Sequence, residues 1–320
     1  ESELNIWVDL EQRRVMRVHS KLLVKELGLD EPKQHILDFS KSSIYQRIEA
    51  ESFWQRSQTG WNWYLPMIRF VSNTGEETIR NVRIQSTPSN WQATAEQIPL
   101  DPSSRLMLLL KAQWPDLSAW NQSAKVAGDL SGVRASGQRD LKQWSASGYG
   151  KQLGFSAVGN APGMQDFSGV FNIDQQGGTF RFLKSKPVLD WPVSLGKPIP
   201  STLAGQLVWW KSGPDWVLAA RDLNWQGAGL NIMLDSQIQF YHSKNAPMLN
   251  LAARIAPFDF KTDKRFWLRN SMPDSSIRWL DMALVKGQIR DASIVMAGDL
   301  GRWPFTDKAG RFSARATILA

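Results

Sequence analysis

The strongest constraint in this chain is a two-residue alternation of apolar and polar side chains. Leu4, Ile6, Val8 and Leu10 share one parity, and after a charged turn at Glu11–Arg14 the pattern returns at Met16, Val18, Leu22 and Val24. Trp61, Trp63 and Leu65 alternate, as do Phe180 and Phe182. Leu230, Ile232, Leu234, Ile238 and Phe240 form the longest stripe, and Leu249, Leu251, Ala253 and Ile255 follow a turn at Ser243–Pro247. Phe312, Ala314, Ala316 and Ile318 interleave with Arg311, Ser313, Arg315 and Thr317. Successive side chains of a strand point to opposite faces, so these stripes predict sheet with one apolar and one polar face. Turn chemistry recurs between them, at Asn73-Thr74-Gly75, Gln176-Gly177-Gly178, Lys211-Ser212-Gly213-Pro214 and Gln226-Gly227. The expected arrangement is a long antiparallel meander.

Helix signals are few, and they sit in a repeated motif. WPDLSAW (Trp114–Trp120) returns as MPDSSIRW (Met272–Trp279), with the two prolines 158 residues apart. Asp101-Pro102 reads as a cap followed by proline in the first helical position, opening a helix through Leu106, Leu109 and Leu110. Asp116 caps a second short piece reaching Trp120. In the second copy Asp263 caps Arg265–Arg269, and Asp274 or Ser275 caps a piece through Ile277, Leu280 and Leu284. The Pro-Asp pair stops one helix and caps the next, and the tryptophan pins the corner down.

With some 10 to 12 residues per strand and turn, the chain holds about 20 strands. Two short helical pairs are little cover for such a sheet. A sandwich or closed barrel buries the apolar face against itself. A curled trough leaves that face lining a cavity. Strands crossing such a trough add about 4.8 Å each, giving roughly 100 Å in all, and a six-residue strand spans about 20 Å. Periodicity alone fits trough and sandwich equally.

Several chemistries find no residues. The chain has no cysteine, which excludes disulfides and thiolate chemistry, and its three histidines, His19, His35 and His242, are scattered. Ser147–Gln152 resembles a phosphate loop, but the first glycine falls on Ser145 and Gln152 replaces Ser/Thr. No Gly-x-Ser-x-Gly elbow occurs. No catalytic residue, metal or cofactor is expected, and the chain does not read as an enzyme. No apolar run approaches the roughly 20 residues that span a bilayer. The net charge of +8 is dispersed in singles and pairs, which suits solubility or anionic partners such as lipid head groups, lipopolysaccharide or nucleic acid. Lys184–Lys186 and Arg265–Arg269 read as solvated strand faces before they read as a nucleic-acid surface. The sixteen tryptophans outnumber the four tyrosines fourfold, favouring places where a ring meets an apolar surface at one edge. The chain opens on Glu1, and its strand pattern still runs at Ile318, so it reads as an internal fragment.

A set of local motifs adds a resemblance. They are Ala161-Pro162-Gly163-Met164, Phe167-Ser168-Gly169-Val170-Phe171, Gln176-Gly177-Gly178-Thr179-Phe180 and Leu203–Trp210. They continue through Trp216-Val217-Leu218, Asn224-Trp225, Arg278–Ile289, Gly298-Asp299-Leu300 and Trp303-Pro304-Phe305. From about Ile98 onward the chain resembles the YhdP family of AsmA-like bacterial envelope proteins. The resemblance implies a mainly β fold: an elongated, curled antiparallel sheet forming an apolar groove (the repeating β-groove), with a few short helices. Residues 1–320 would be an internal piece of one continuous groove, with soft repeat units about 1–125 and 126–320 and no independent linker. It implies a periplasmic segment, attached to the inner membrane through a part outside this chain, that moves phospholipids between inner and outer membranes.

In such a groove the stripes supply the lining: Leu230, Ile232, Leu234, Ile238, Phe240, Leu249, Leu251, Ile255, Phe312 and Ile318. In a sandwich the same residues are core. The expected partners are phospholipids held by their acyl chains, the two membranes in the full-length protein and possible envelope proteins, with no nucleic acid. The alternative is an envelope assembly scaffold that binds a protein or glycan and carries no lipid.

Overall fold

The computed structural model describes residues 1–27, 45–73, 75–101, 123–243, 246–259, 274–283, 287–305 and 307–319. They form eighteen strands of one antiparallel sheet, with two short helices among the described residues. No helix among them is long and apolar enough to cross a membrane. The chain folds as two compact units.

The first unit comprises Glu1–Gln122 and Val126–Tyr149. It contains β1 (Ser2–Glu11), β2 (Arg14–Leu27), β3 (Tyr45–Ser57), β4 (Gly60–Ser72), β5 (Gly75–Ser86), β6 (Asn90–Pro99), β7 (Ala127–Gln138) and the first half of β8 (Trp144–Phe155). From β1 to β7 each strand pairs antiparallel with the next. The helix expected from Asp101-Pro102 and the piece capped by Asp116 lie outside the described residues.

The second unit comprises Ser123–Lys125 and Gly150–Ala320. After β8 come β9 (Gly163–Asp174), β10 (Gly177–Ser185), β11 (Val188–Asp190), β12 (Ile199–Ser212), β13 (Asp215–Gly227) and β14 (Leu230–Phe240). They are followed by β15 (Met248–Ile255), β16 (Phe258–Asp259), β17 (Gln288–Asp299) and β18 (Gly310–Leu319). Helix α1 (Pro192–Leu195) starts on proline, which needs no partner for a missing N–H there, and ends at Gly196 in the left-handed region. Helix α2 (Asp274–Ala283) is the piece expected after the second Pro-Asp; its first residue, Asp274, places a carboxylate at the positive end of the helix. The turn expected at 265–269 lies outside the described residues.

The main strands are longer than the six residues assumed from sequence, running to 14 in β2 and β12. Tight turns explain the difference, because nearly the whole spacing goes into strand. Between β9 and β10 the turn is two residues, and the Asp174 carboxylate accepts from the N–H groups of Gln176 (2.7 Å) and Gly177 (2.9 Å). The Gln226-Gly227 turn signal falls two residues early: β13 continues through Gly227, and Ala228 and Gly229 turn the chain with φ 41° and 82°.

Long strands are bent partway by bulges. In the first unit the bends line up. Leu65–Ile68, Ile79–Val82, Ala95–Ile98 and Leu130–Val133 each take three steps between residues of the same face. Asn81 and Gly132, both at positive φ, sit at these bends, and Tyr64 Oη donates to Asn81 Oδ1 (2.9 Å). In the second unit Gly205 and Asp222, also at positive φ, form a paired bend across β12 and β13. Bulges increase local twist and kink the strand.

Two glycines make room for rings on the apolar side. A Cβ on Gly169 would lie 2.4 Å from the Arg181 carbonyl and 2.5 Å from the Phe180 ring; one on Gly178 would lie 2.6 Å from the Trp209 ring. Gly169→Ala should therefore destabilise the second unit by about 1–3 kcal/mol through overpacking. Urea denaturation checks this, and an unchanged midpoint would show that the Arg181 backbone and the Phe180 ring both give way freely.

Candidate functional site

Directly opposed residues of an antiparallel pair project to the same face, so the registers assign every side chain. In the second unit the first rows of one face run Gly227–Leu230, Trp225–Ile232–Ile255–Ala292–Ala316 and Leu223–Leu234–Ala253–Ile294–Ala314. The next rows are Ser236–Leu251–Met296–Phe312, Leu218–Ile238–Leu249–Gly298 and Trp216–Phe240. Upstream the same face holds Leu203, Leu207 and Trp209 of β12, Phe180 and Phe182 of β10, and Phe171 of β9. Phe167 packs edge-on against Phe155, Phe180 and Phe182 at 5.6–6.1 Å. The result is a continuous apolar face; Ser236 is its polar member within β14, and Ser185, Ser201 and Lys211 stand on it towards β10 and the ends of β12, opposite Leu203, Gly227 and Trp216.

All ten residues expected from sequence lie on this face. Leu230, Ile232, Leu234, Ile238 and Phe240 sit on β14, Leu249, Leu251 and Ile255 on β15, and Phe312 and Ile318 on β18, where Ile318 opposes Ile289. Their burial is partial. Leu230 is buried at 7 % exposure, whereas Phe240, Phe312 and Ile318 are exposed at 46, 50 and 52 % and the other six are half-buried. A packed sandwich core leaves such residues nearly inaccessible. Sequence reasoning missed the contributions of β12, β13 and β17. In β12 the run Val208-Trp209-Trp210 is apolar on both faces and hides the alternation, and in β13 the bulge at Asp222 shifts its parity.

The first unit has an apolar face of its own. Leu4–Leu22–Ala50–Ile68–Ile79 and Val24–Ile48–Phe70 make rows on one side of the bends. Val18–Trp54–Trp63–Ile84–Ala93–Ala135 and Trp61–Ser86–Trp91–Gly137 make rows on the other. The Ser20 and Ser52 hydroxyls are opposed there and bond to each other at 2.8 Å, so two polar groups satisfy themselves within an apolar row. Trp54, Trp61, Trp63, Trp91 and Trp144 are all half-buried and cluster towards the end of the strands that carries the short turns. Trp91 donates its indole N–H to the Gln138 carbonyl at that end (3.0 Å).

The opposite face of the first unit is charged. Arg47, Glu49, Arg69 and Glu76 form a chain of ion pairs across β3 to β5. Beside it, Trp7, His19 and Phe53 stack with ring centroids 4.8 and 4.5 Å apart, and Arg83 lies 4.9 Å over Tyr64. Nε2 of His19 is 2.8 Å from Glu51 Oε1, with Lys21 Nζ 3.4 Å from the same oxygen. The His19 hydrogen bond, with Lys21 adding, holds the Glu51 carboxyl below the usual carboxylate range. A depressed folded pKa contributes stability that is present above the unfolded value and lost as pH falls through the folded one. Among the described residues no three His, Asp or Glu side chains are grouped to hold a metal.

The family model described as YhdP protein matches residues 1–319, and the chain belongs to the YhdP family. This is a family of bridge-like lipid-transport proteins and not of enzymes. No curated protein and no solved structure matches the chain.

Two outcomes follow from these faces. Ile232→Asp combined with Leu251→Asp should leave a folded β protein, because both side chains are only half-buried; far-UV circular dichroism checks this, and complete unfolding would point to a closed core. Glu51→Gln should flatten the loss of stability on the acid side of pH 4.5 relative to the parent chain, read as melting temperature against pH.

Proposed function

We propose that this chain is a segment of a periplasmic bridge, held at the inner membrane, that moves phospholipids between inner and outer membranes along its apolar faces. The observation that carries the reading is the continuous, half-open apolar face of the second unit, with the first unit carrying a second face of the same kind.

The energetics favour this use. Burying one methylene is worth about 0.8 kcal/mol, so carrying a 16-carbon chain through water costs on the order of 10 kcal/mol. A surface of Leu, Ile, Phe and Trp removes most of that cost wherever no polar gap interrupts it. Half-burial fits an occupant that slides: the side chains are held by their neighbours in the sheet and keep one flank free for an acyl chain. The described rows stay open on one flank, so many weak contacts replace a single strong one. No step requires a cofactor or a catalytic group. The scaffold reading places a protein or glycan on the tryptophans instead, and leaves the long aliphatic rows of β14 and β15 without an occupant.

Native mass spectrometry of the purified chain, with lipid extraction from the same sample, tests the reading. Phospholipids should accompany the chain at more than one per molecule, and the Ile232→Asp, Leu251→Asp variant should lose most of them while staying folded. A chain free of lipid after detergent-free purification would overturn the reading in favour of the scaffold.

A further inference from the structure

The two edges of the first unit differ in charge. Four short connections stand at one edge: those between β1 and β2, β3 and β4, β5 and β6, and β7 and β8. Arg13, Arg139 and Lys142 stand in these connections and Arg14 and Arg56 at the adjoining strand ends, all exposed, against Glu11 opposite Arg14 and Asp140 in the last connection. Lys142 lies 3.9 Å from Asp140, and the four arginines have no carboxylate partner among the described residues. The Arg139 N–H donates to the Ser89 carbonyl (2.9 Å), which ties the last of these turns to the third. Connections two strands apart along this edge are separated by about 10 Å.

Among the described residues the far edge carries an acidic cleft. A cleft of about 450 Å³ there is lined by Glu76, Glu77, Asp101 and Asp129, with Arg80 the cation among its lining residues. The described arginines thus concentrate at the short-turn edge and the described cleft carboxylates at the other.

The tryptophans lie beneath the cationic edge. Arg56 is paired with Trp61 and so projects to the apolar face, next to Trp54 and Trp63. Trp91 and Trp144 continue the belt below Arg139, with Trp91 hydrogen-bonded to Gln138, the last residue of β7. Arginine above, indole at the boundary and aliphatic side chains below is the order of chemistry across one leaflet of a membrane, from phosphate to interface to hydrocarbon.

We propose that the short-turn edge of the first unit is a head-group shelf that selects anionic phospholipids. Successive phosphates sit along this edge, beside Arg13 and Arg14, beside Arg56 and beside Arg139, and the acyl chains lie on the apolar face below the tryptophans. A zwitterionic lipid carries its own ammonium and gains less from the same arginines. Free phosphate meets the arginines but leaves the indoles and the aliphatic rows uncovered. This inference rests on the lipid-carrying reading above and adds to it a site and a preference.

The test loads the whole chain from equimolar phosphatidylglycerol and phosphatidylethanolamine vesicles, then measures total bound lipid and the ratio of the two. The parent chain should enrich phosphatidylglycerol about fivefold at low salt, falling towards the input ratio as screening increases. The R13Q/R14Q/R56Q/R139Q variant should bind as much lipid without enrichment, and the corresponding lysine variant should recover enrichment. Inorganic phosphate at matched ionic strength should leave the bound lipid in place. Lipid bound by the parent chain with no enrichment, or enrichment kept by the glutamine variant, overturns the shelf and leaves lipid carriage standing. Displacement by inorganic phosphate, or loss of all lipid by a folded glutamine variant, overturns selection by the shelf as well. A parent chain that takes up no lipid defeats the underlying reading instead.

Discussion

Everything in this molecule depends on the register of its antiparallel backbone ladder. A shift of one residue would turn a whole strand over and put leucines where arginines belong. The chain nevertheless inserts residues into its strands. It does so coherently: where β12 bulges at Gly205, β13 bulges at Asp222, and the bends of β4 to β7 fall side by side. Aligned bulges change sequence parity on neighbouring strands together, so the apolar face continues through each bend. Trp216, Leu218 and Ala220 hand over to Leu223 and Trp225 on the same side of the sheet.

That device also decides how much could be read from the sequence. β1, β14, β15 and β18 keep an unbroken parity through their apolar rows, and their stripes stood out as alternating leucine, isoleucine and phenylalanine. β4 and β13 have the same kind of face, but their apolar parity changes midway, at Pro66 and at Asp222, so simple alternation fades there. The ten residues expected from the clearest stripes fall on one face for this reason, while Leu218, Trp225, Ile294 and Met296 beside them stand in strands whose stripes are less clear. Register adds the missing information, and it comes from pairing between strands and not from any one of them. The tryptophan belt was invisible for a related reason: Trp54, Trp61, Trp91 and Trp144 are scattered along the chain, and only the meander brings them to one edge.

Half-burial separates the trough from the sandwich more clearly than composition does. Both need one apolar and one polar face, and the same residues serve either. In a sandwich, the second layer would bury Phe240, Phe312 and Leu249 alike. Here exposure is graded along the face, and the charged side is held by its own ion pairs and by stacked rings around His19. The sheet is thus stable from its backbone ladder and lateral packing, with the apolar face left for something else to cover. The chain belongs to a bridge-like lipid-transport family, and the proposed reading takes that cover to be lipid.

The most direct measurement is photocrosslinking in living bacteria with benzoylphenylalanine placed at single positions on either face. Ile68, Ile84, Leu218 and Ile232 report on the apolar faces, and Tyr64, Arg83, Met233 and Gln239 on the opposite ones. If acyl chains run along the apolar faces, phospholipid adducts should form at the first four positions and not at the second. Equal labelling of both faces, or adducts to protein alone at Leu218 and Ile232, would contradict a lipid path on these faces.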